Sequence, residues 1–404
     1  MPISILERQN PWWESGKLKY NLFPRSIEKE LIKNLESNKI IALLGSRQVG
    51  KTSLLYLLIQ HLLKSVKPTD IYYFNLDDLS IRRMMESPND FLNYIGADNG
   101  KKYIFFDEAQ RLDNPGLFLK TIFDLKLDIK LMVSGSSQLE LRSKLKEFLV
   151  GRMRIFEIQR LNFSEARTLH PNAPPDALME NIMLYGAYPE VLRQKNDQEK
   201  KLLLHDIHQL YIEKDISDFA KIENIDAFNK LLILLAAQIG CLLNVHALSK
   251  TLKISLGLVR RYLDILEGTF IVKRLTPFFK NYKKEISKTP KIYFLDLGLR
   301  NLLLNQWQPL ELRTDTGALF ENFIFLEMYS LDFYKKRDFH FWRTTNQTEI
   351  DFIVEEEGNL RAIETKWQKS TVPKSFATFK TYYPKGVTEL VTPKIFLSNA
   401  RLKK

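Results

Sequence analysis

The chain has 404 residues, of which 45% are hydrophobic and 12% aromatic, so it can bury two or three domain cores. Its one cysteine, Cys241, excludes a disulfide framework and a zinc site made of thiolates, and its apolar neighbours predict that it lies in a core. The formal net charge of +12 favours polyanions as partners, although a generally basic surface would give the same value.

The sequence shows neither a signal peptide nor an apolar run long enough to span a bilayer. The longest apolar run, residues 231–243, is interrupted by Gln238 and Gly240. We therefore expect a cytoplasmic protein that has no membrane partner.

Residues 1–22 form a leading arm without clear periodicity, and a helical stretch follows over residues 26–37. The arm contains two large apolar side chains, Trp12 and Trp13. We expect these tryptophans to pack on the domain that follows rather than to contact a nucleotide base.

Residues 40–59 predict a strand, a glycine-bounded loop and a helix. An apolar run, residues 40–44, precedes a loop that matches the pattern G-x-x-x-x-G-K-[ST]. The glycines let the backbone curl so that successive N–H groups point inward, and the helix N-terminus adds its positive dipole end. The residues predicted to bind a polyphosphate here are Gly45, Ser46, Arg47, Gln48, Val49, Gly50, Lys51, Thr52 and Ser53.

Two side chains of this loop have specific expected roles. Lys51 should reach the β- and γ-phosphates of ATP, and the hydroxyl of Thr52 should bind Mg²⁺. An ordinary strand-to-helix turn is the alternative, but the flanking strand and helix favour nucleotide binding. ATP and Mg²⁺ are therefore the predicted cofactors.

A second predicted strand, residues 103–108, is apolar and ends in two carboxylates, Asp107 and Glu108, which suit a Mg²⁺-dependent nucleotide site. In ATPases, such an aspartate organises Mg²⁺ and such a glutamate activates the attacking water. A third strand over residues 130–137 ends in small polar residues, of which Ser134 or Ser136 is expected to contact the γ-phosphate. Strands that alternate with helices predict a parallel sheet flanked by helices, with the nucleotide at the C-terminal ends of the strands.

Two arginines, Arg152 and Arg154, lie just before a further β-like alternation. Arg152 could neutralise charge on the γ-phosphate in the same subunit or in a neighbouring copy, and Arg154 is the weaker candidate. A surface arginine on a turn is an equally good interpretation of Arg152. The turn-forming residues 171–175 are expected to close a first domain, residues 1–175.

A helical domain over residues 176–300 is predicted to contain a helix-turn-helix at residues 244–266, with its second helix capped by Ser255. Two strands and the basic loop between them, within residues 270–295, are typical of a wing. Winged helices bind duplex DNA in some proteins and mediate protein contacts or domain packing in others. The residues predicted to contact DNA are Arg260 and Arg261, with Lys280, Lys283, Lys284, Lys288 and Lys291 placed to touch phosphates.

The last domain, residues 301–404, contains a different set of charged residues. Asp351 lies on a predicted strand, and an acidic turn leads to a second strand that carries Glu364 and Lys366. Glu364 and Lys366 share one face because side chains in a strand repeat every two residues, and the hairpin can bring Asp351 beside them. The two carboxylates would bind one or two Mg²⁺ ions, while the lysine would stabilise charge or position a water.

This arrangement resembles the PD-(D/E)xK restriction-endonuclease-like fold, with Glu321 on a preceding apolar helix matching the helical acid of that fold. The resemblance implies an α/β domain with a candidate nuclease site. Since such domains also persist as binding modules, it leaves cleavage open.

Nearly the whole chain is similar to a large prokaryotic group of AAA-type ATPases that carry a C-terminal domain of unknown function with a restriction-endonuclease-like core. The matching segments outside the last domain are 45–52, 107–110, 135–137, 151–152 and 188–190. The resemblance implies ATP hydrolysis and a relation to signalling ATPases with numerous domains. It leaves the biological output open.

The sequence thus predicts an α/β protein in which a P-loop sheet is followed by a helical, winged-helix region and a nuclease-like domain. The leading hypothesis is a Mg²⁺-dependent ATPase that acts on DNA. The alternative is a nucleotide-controlled switch that binds a protein partner and does not cut DNA. The sequence leaves open whether the chain forms a homo-oligomer.

Overall fold

The computed structural model describes residues 5–97, 99–135, 151–210, 222–279, 289–334, 336–368 and 371–401. The chain divides into two compact units, Met1–Gln159 and Arg160–Lys404. The domain boundaries predicted at residues 175 and 300 stay a prediction.

The first unit is built on a five-stranded parallel sheet in the order β2-β3-β4-β1-β5. Its strands are β1 (Ile40–Leu44), β2 (Ile71–Asn75), β3 (Lys102–Asp107), β4 (Ile129–Gly135) and β5 (Met153–Glu157). Its helices are α1 (Ile5–Gln9), α2 (Trp12–Ser15), α3 (Glu28–Leu35), α4 (Lys51–Leu62), α5 (Leu79–Arg83), α6 (Pro88–Ile95) and α7 (Pro115–Asp124). This architecture confirms the predicted α/β class with a helix-flanked parallel sheet.

Strands β1 and β3 are buried along their whole length, as expected for a parallel sheet that is covered on both faces. A cluster of phenylalanines from β2, α6, β3 and α7 fills one side of the sheet, with ring centroids 5.6–5.8 Å apart. Strand β4 lies between β1 and β3. The C-terminal ends of these three strands therefore meet at one edge, where the phosphate loop, Asp107 and Ser134 lie.

The leading arm covers the free edge of β2 through side chains. The Asn10 amide donates to Tyr73 O at 2.9 Å and accepts from Tyr73 N at 2.7 Å, as a neighbouring strand would. The indole N–H groups of Trp12 and Trp13 both donate to Ile71 O, at 3.0 and 2.9 Å. The prediction that these tryptophans pack on the first domain is therefore confirmed.

We expect Asn10→Ala to lower the free energy of unfolding by about 2–4 kcal/mol, because each buried polar group left without a partner costs about 1–3 kcal/mol. The substitution leaves both main-chain groups of the buried Tyr73 without the Asn10 amide. Urea denaturation measures this loss. Glu14→Ala, an exposed position in the same arm, is the control. A loss for Asn10→Ala no larger than for the control would contradict the prediction.

The second unit contains helices and two small sheets. Its helices are α8 (Phe163–Leu169), α9 (Pro175–Tyr185), α10 (Pro189–Arg193), α11 (Asp197–Ile207), α12 (Ile225–Ala236), α13 (Val245–Leu252), α14 (Leu256–Gly268), α15 (Leu297–Leu304), α16 (Thr316–Ser330), α17 (Lys374–Tyr382) and α18 (Pro393–Arg401). Its strands are β6 (Val272–Leu275), β7 (Lys291–Phe294), β8 (Arg337–Arg343), β9 (Glu349–Glu356), β10 (Asn359–Thr365) and β11 (Val387–Val391).

Helices α13 and α14 are joined by a short turn, and the antiparallel pair β6–β7 follows them. Ser255 caps α14 as predicted, since its hydroxyl accepts from Leu258 N at 3.2 Å. The second sheet has the order β11-β10-β9-β8, and β9 and β10 form the predicted antiparallel hairpin. The C-terminal part of the chain is therefore α/β, as expected.

The prediction that Cys241 lies in a core is wrong, because its side chain is exposed. Helix α12 ends at Ala236, and Gly240 then turns the chain with φ +71°. The main-chain N–H groups of Gly240 and Leu243 bond to residues of the β7 segment, while Cys241 between them faces outward.

Among the described residues, no helix combines the length and the apolar character that crossing a membrane requires.

Candidate functional site

The loop between β1 and α4 has the backbone of an anion-binding turn. Gln48 and Gly50 adopt φ values of +60° and +92°, and α4 begins directly afterwards at Lys51. Gly45 is required by close packing, because a Cβ there would lie 2.3 Å from the main-chain oxygen of Ile158. Successive N–H groups in such a turn, followed by a helix N-terminus, favour phosphate binding.

Lys51 is only 5% exposed, and its ammonium lies over this loop. It donates to Gly45 O at 3.1 Å and to Ser46 O at 2.9 Å. Burial lowers the pKa of Lys51, while the nearby carboxylates of Glu108 and Asp107 act in the opposite direction. A buried cation beside an anion-binding turn can neutralise a polyphosphate.

Asp107, at the end of β3, accepts hydrogen bonds from three hydroxyl groups. The Thr52 hydroxyl donates to Asp107 Oδ2 at 2.7 Å, and the Ser134 hydroxyl donates to Oδ1. The third donor is the Tyr73 hydroxyl, 2.7 Å from Oδ2. The two residues predicted to organise Mg²⁺, Thr52 and Asp107, are therefore in contact. Hydroxyl and carboxylate oxygens fit Mg²⁺, which prefers few protein ligands together with phosphates and waters.

Tyr73 was missed by sequence reasoning. It lies on β2 opposite Phe105, two residues before Asp107, so Tyr73 and Asp107 share one face of adjacent strands. The contact follows from the order of the strands, which the sequence does not contain.

Glu108 has a left-handed backbone with φ +56°, which is uncommon for a residue other than glycine. Its N–H donates to the Ser134 hydroxyl at 3.1 Å, and the Gln110 amide donates to its carboxylate. Ser134 thus contacts both acidic residues. Its role at the γ-phosphate stays a prediction, and Ser136 lies outside the described residues.

Arg25 is a second residue that sequence reasoning missed. Its buried guanidinium donates to Val49 O, in the phosphate loop, at 2.9 Å and to Gln159 O at 2.8 Å. It lies between the leading arm and the helical stretch predicted over residues 26–37, where no sequence pattern singled it out. Arg25 holds the phosphate loop against the segment that follows β5.

Arg152 lies at the wrong edge of the sheet for a role at its own nucleotide site. It precedes β5, and its main-chain oxygen accepts from Ile40 N at the start of β1, whereas the phosphate loop follows the end of β1. Its side chain pairs with Asp124, with Nε 2.8 Å from Oδ1. The prediction for the same subunit is therefore wrong, and a role in a neighbouring copy stays a prediction.

The predicted DNA-contacting residues are only partly described. Arg260 and Arg261 are exposed on α14, and Arg261 pairs with Glu223 at 2.8 Å. Lys273 and Arg274 on β6 both pair with Glu267 of α14. Four of the predicted lysines lie outside the described residues, namely Lys280, Lys283, Lys284 and Lys288.

The four charged residues predicted in the last domain lie together, and we call them the C-terminal acidic cluster: Glu321, Asp351, Glu364 and Lys366. Lys366 Nζ lies 2.7 Å from Glu364 Oε1, and both the N–H and the hydroxyl of Thr365 donate to Asp351 Oδ2 at 2.7 Å. Asp351 and Glu364 are 8% and 6% exposed. The hairpin therefore brings the predicted residues together.

The carboxylates of this cluster interact electrostatically. Burial, then the charge of Asp351, raises the pKa of Glu321 to about 7. The same two causes raise the pKa of Glu364. The part of these shifts that comes from Asp351 is repulsion between carboxylates, which a cation bound between them would relieve.

Three further residues adjoin the cluster and were not predicted to do so. Lys291 Nζ lies 2.6 Å from Glu349 Oε1 and 3.3 Å from Glu321 Oε1, and the Tyr293 hydroxyl donates to Glu321 at 2.5 Å. Burial opposes the charge of Lys291, but Glu321, Asp351 and Glu349 outweigh it and raise its pKa. The prediction that Lys291 touches DNA phosphates is wrong, because its side chain is only 3% exposed and is paired with carboxylates.

Within the described ranges, no group of three or more His, Cys, Asp or Glu side chains is arranged to hold a metal ion. The cluster does contain one unsatisfied ligand atom, since Glu364 Oε2 is buried and has no hydrogen-bond partner among the described residues. Asp351 and Glu364 therefore fit a metal ion as a pair rather than as part of a larger cage.

Three family matches cover most of the chain. Residues 37–167 match the AAA domain family, and residues 176–309 and 316–397 match two domains of unknown function, DUF8612 and DUF4143. An uncharacterized protein of Mycobacterium tuberculosis is 25% identical over 347 residues, which cover 85% of this chain and 73% of that protein. One of Methanocaldococcus jannaschii is 26% identical over 352 residues, with 83% and 76% covered.

A Walker-type ATPase of Pyrococcus abyssi has a similar fold, with a TM-score of 0.50 and 17% identical residues over 71% of this chain and 97% of that one. The AAA domain match coincides with the parallel sheet and the phosphate loop. Together they support a P-loop ATPase domain of the AAA type.

Proposed function

We propose that the protein hydrolyses ATP in a Mg²⁺-dependent reaction at the phosphate loop. The observation that carries this proposal is the contact of Thr52 and Asp107, next to the buried ammonium of Lys51. The Mg²⁺ ligands Thr52 and Asp107 and the phosphate ligand Lys51 thus lie beside one anion-binding turn, and Glu108 comes directly after the strand that ends at Asp107.

Each residue has a defined part in this reaction. The loop N–H groups and Lys51 would bind the phosphates, and Thr52 and Asp107 would hold Mg²⁺. Mg²⁺ would neutralise charge on the phosphates during transfer. Glu108 would orient the attacking water and accept its proton, since its main chain is fixed by Ser134 and its carboxylate by Gln110.

Phosphate release from ATP by the purified chain tests this proposal. Release should require Mg²⁺ and stop when EDTA is added. Release that continues at the same rate in EDTA, or no release at millimolar ATP and Mg²⁺, would overturn it.

We further propose that the protein acts on DNA through a winged helix and a nuclease-like domain, and that the bound nucleotide controls the positions of both. The convergence of Asp351, Glu364 and Lys366 supports this, because the hairpin supplies two buried carboxylates and a lysine. Such a group could bind a metal ion that polarises a phosphodiester and lowers the pKa of a water.

Cleavage of plasmid DNA in Mg²⁺ or Mn²⁺, with and without ATP, tests the nuclease-like role. The full chain should nick or linearise the plasmid, and Asp351→Ala should not. Equal cleavage by both proteins would assign the activity to a contaminant, and no cleavage in either metal would remove the nuclease.

The rival function is a nucleotide-controlled switch that binds a protein. The pairing of Arg261, Lys273 and Arg274 with carboxylates of the same unit favours it, because paired cations have less charge to offer DNA. Binding to duplex DNA that weakens steeply with added salt would favour the DNA role. No retention of DNA at low salt would favour the switch.

A further inference from the structure

The buried cation at the C-terminal acidic cluster is Lys291, at the start of β7. Its ammonium lies 2.6 Å from Glu349 and 3.3 Å from Glu321, and Glu349 also faces Arg343 at 3.5 Å. Glu321 accepts a further bond from Tyr293. Glu321, the predicted helical acid, is therefore already held by two groups of the β7 strand.

Asp351 and Glu364 make different contacts from those of Glu321 and Glu349. By the register of the hairpin they face each other across β9 and β10, since Ile363 pairs with Phe352 directly beside them. Glu364 uses one oxygen for Lys366 and has no hydrogen-bond partner among the described residues for the other, although its side chain is more than nine-tenths buried. A buried carboxylate oxygen without a partner is unfavourable unless a ligand satisfies it.

We propose that Lys291 is a built-in cation that takes the place of a second divalent ion, so that the cluster binds one divalent cation between Asp351 and Glu364. This inference rests on the proposed metal-dependent role of the cluster. Four carboxylates, Glu321, Glu349, Asp351 and Glu364, face three cations, Lys291, Lys366 and Arg343. These formal charges sum to −1, so one divalent ion already brings the cluster to +1, and a second would be repelled by that charge and by the ammonium.

Strand β7 contributes two side chains to this cluster. Lys291 and Tyr293 belong to the segment that follows the helix pair α13–α14, yet they complete a cluster whose acids lie on α16, β9 and β10. The metal-binding state of the cluster therefore depends on residues outside the hairpin that carries Asp351 and Glu364.

Calorimetric titration of the nucleotide-free full chain with Mn²⁺ tests the inference. We expect one Mn²⁺ ion per chain that depends on the cluster, lost in Asp351→Asn. Glu321→Gln should keep the affinity within about threefold, because Glu321 is committed to Lys291 and Tyr293. Glu355→Gln, on the same strand as Asp351, is the control for general loss of negative charge.

Lys291→Met is the complementary variant. Removal of the ammonium should raise Mn²⁺ affinity at least about tenfold or add a second ion, because Glu321 and Glu349 lose their positive partner. Thermal melting checks that each variant is folded. If Lys291→Met does not fold, the Mn²⁺ affinity of Glu321→Gln tests the role of Lys291.

The outcomes separate this inference from the proposed metal-dependent role. Loss of Mn²⁺ in Glu321→Gln, or two ions in the unaltered protein, would overturn the role of Lys291 and leave a metal site. No Asp351-dependent Mn²⁺ in the unaltered protein, even with a gain in Lys291→Met, would overturn the metal-dependent role and the one-ion site with it. No binding in any folded variant would overturn both.

Discussion

Replacing Lys51 with alanine is expected to weaken ATP binding by about 100-fold or more, because charge-assisted hydrogen bonds contribute about 1.5–3 kcal/mol each. The ammonium is the buried cation over the phosphate loop, bonded to Gly45 and Ser46. The fold should remain, because burial already disfavours the charge of Lys51, and its removal relieves that cost. Titration of a fluorescent ATP analogue measures the affinity, and circular dichroism checks the fold.

Lys64→Ala is a matched control, because Lys64 is an exposed lysine just after the helix that Lys51 begins. It should leave ATP affinity unchanged. Unchanged affinity in Lys51→Ala as well would remove the phosphate-loop interpretation of residues 45–52.

Replacing Glu108 with glutamine is expected to lower the rate of ATP hydrolysis by about 10²–10⁴-fold, the usual contribution of a general base. The amide has nearly the shape of the carboxylate and still accepts from Gln110, but it cannot take a proton from water. ATP affinity should therefore stay close to that of the unaltered protein. Phosphate release at saturating ATP and Mg²⁺, with affinity from the same fluorescence titration, separates the two effects.

Asp113→Asn provides the comparison, since Asp113 is an exposed acid a few residues beyond Glu108. Hydrolysis within about threefold of normal in Glu108→Gln would mean that another group activates the water.

The nucleotide site was predictable because its chemistry lies in continuous segments. The loop at residues 45–52 and the strand ending at Asp107 and Glu108 each combine local structure with the residue types that phosphate and Mg²⁺ require. Tyr73 and Arg25 could not be found in this way. Both reach the site across tertiary contacts that depend on strand order and on the path of the leading arm.

The error on Arg152 has a simple geometric origin. A residue that precedes a parallel strand lies at the N-terminal edge of the sheet, and the phosphate loop lies at the opposite edge. The start of β5 at Met153 thus decides the position of Arg152.

In the C-terminal part, spacing predicted the proximity of Asp351, Glu364 and Lys366, because a hairpin and a two-residue repeat determine it. Lys291 was assigned to a wing because it ends a run of lysines in the sequence. The burial of Lys291 against Glu321 and Glu349 could not be predicted, because those acids lie far along the chain and reach Lys291 only in the folded unit.

The leading arm has a consequence for shortened forms of the protein. Asn10, Trp12 and Trp13 occupy main-chain groups at the open side of β2 that another extended chain could otherwise pair with. A shortened chain that begins at Pro24 would still contain Arg25 and the whole phosphate loop, yet it would expose this strand to neighbouring molecules. We expect such a chain to precipitate during expression, so low yields of it would reflect intermolecular strand pairing rather than a defective nucleotide site.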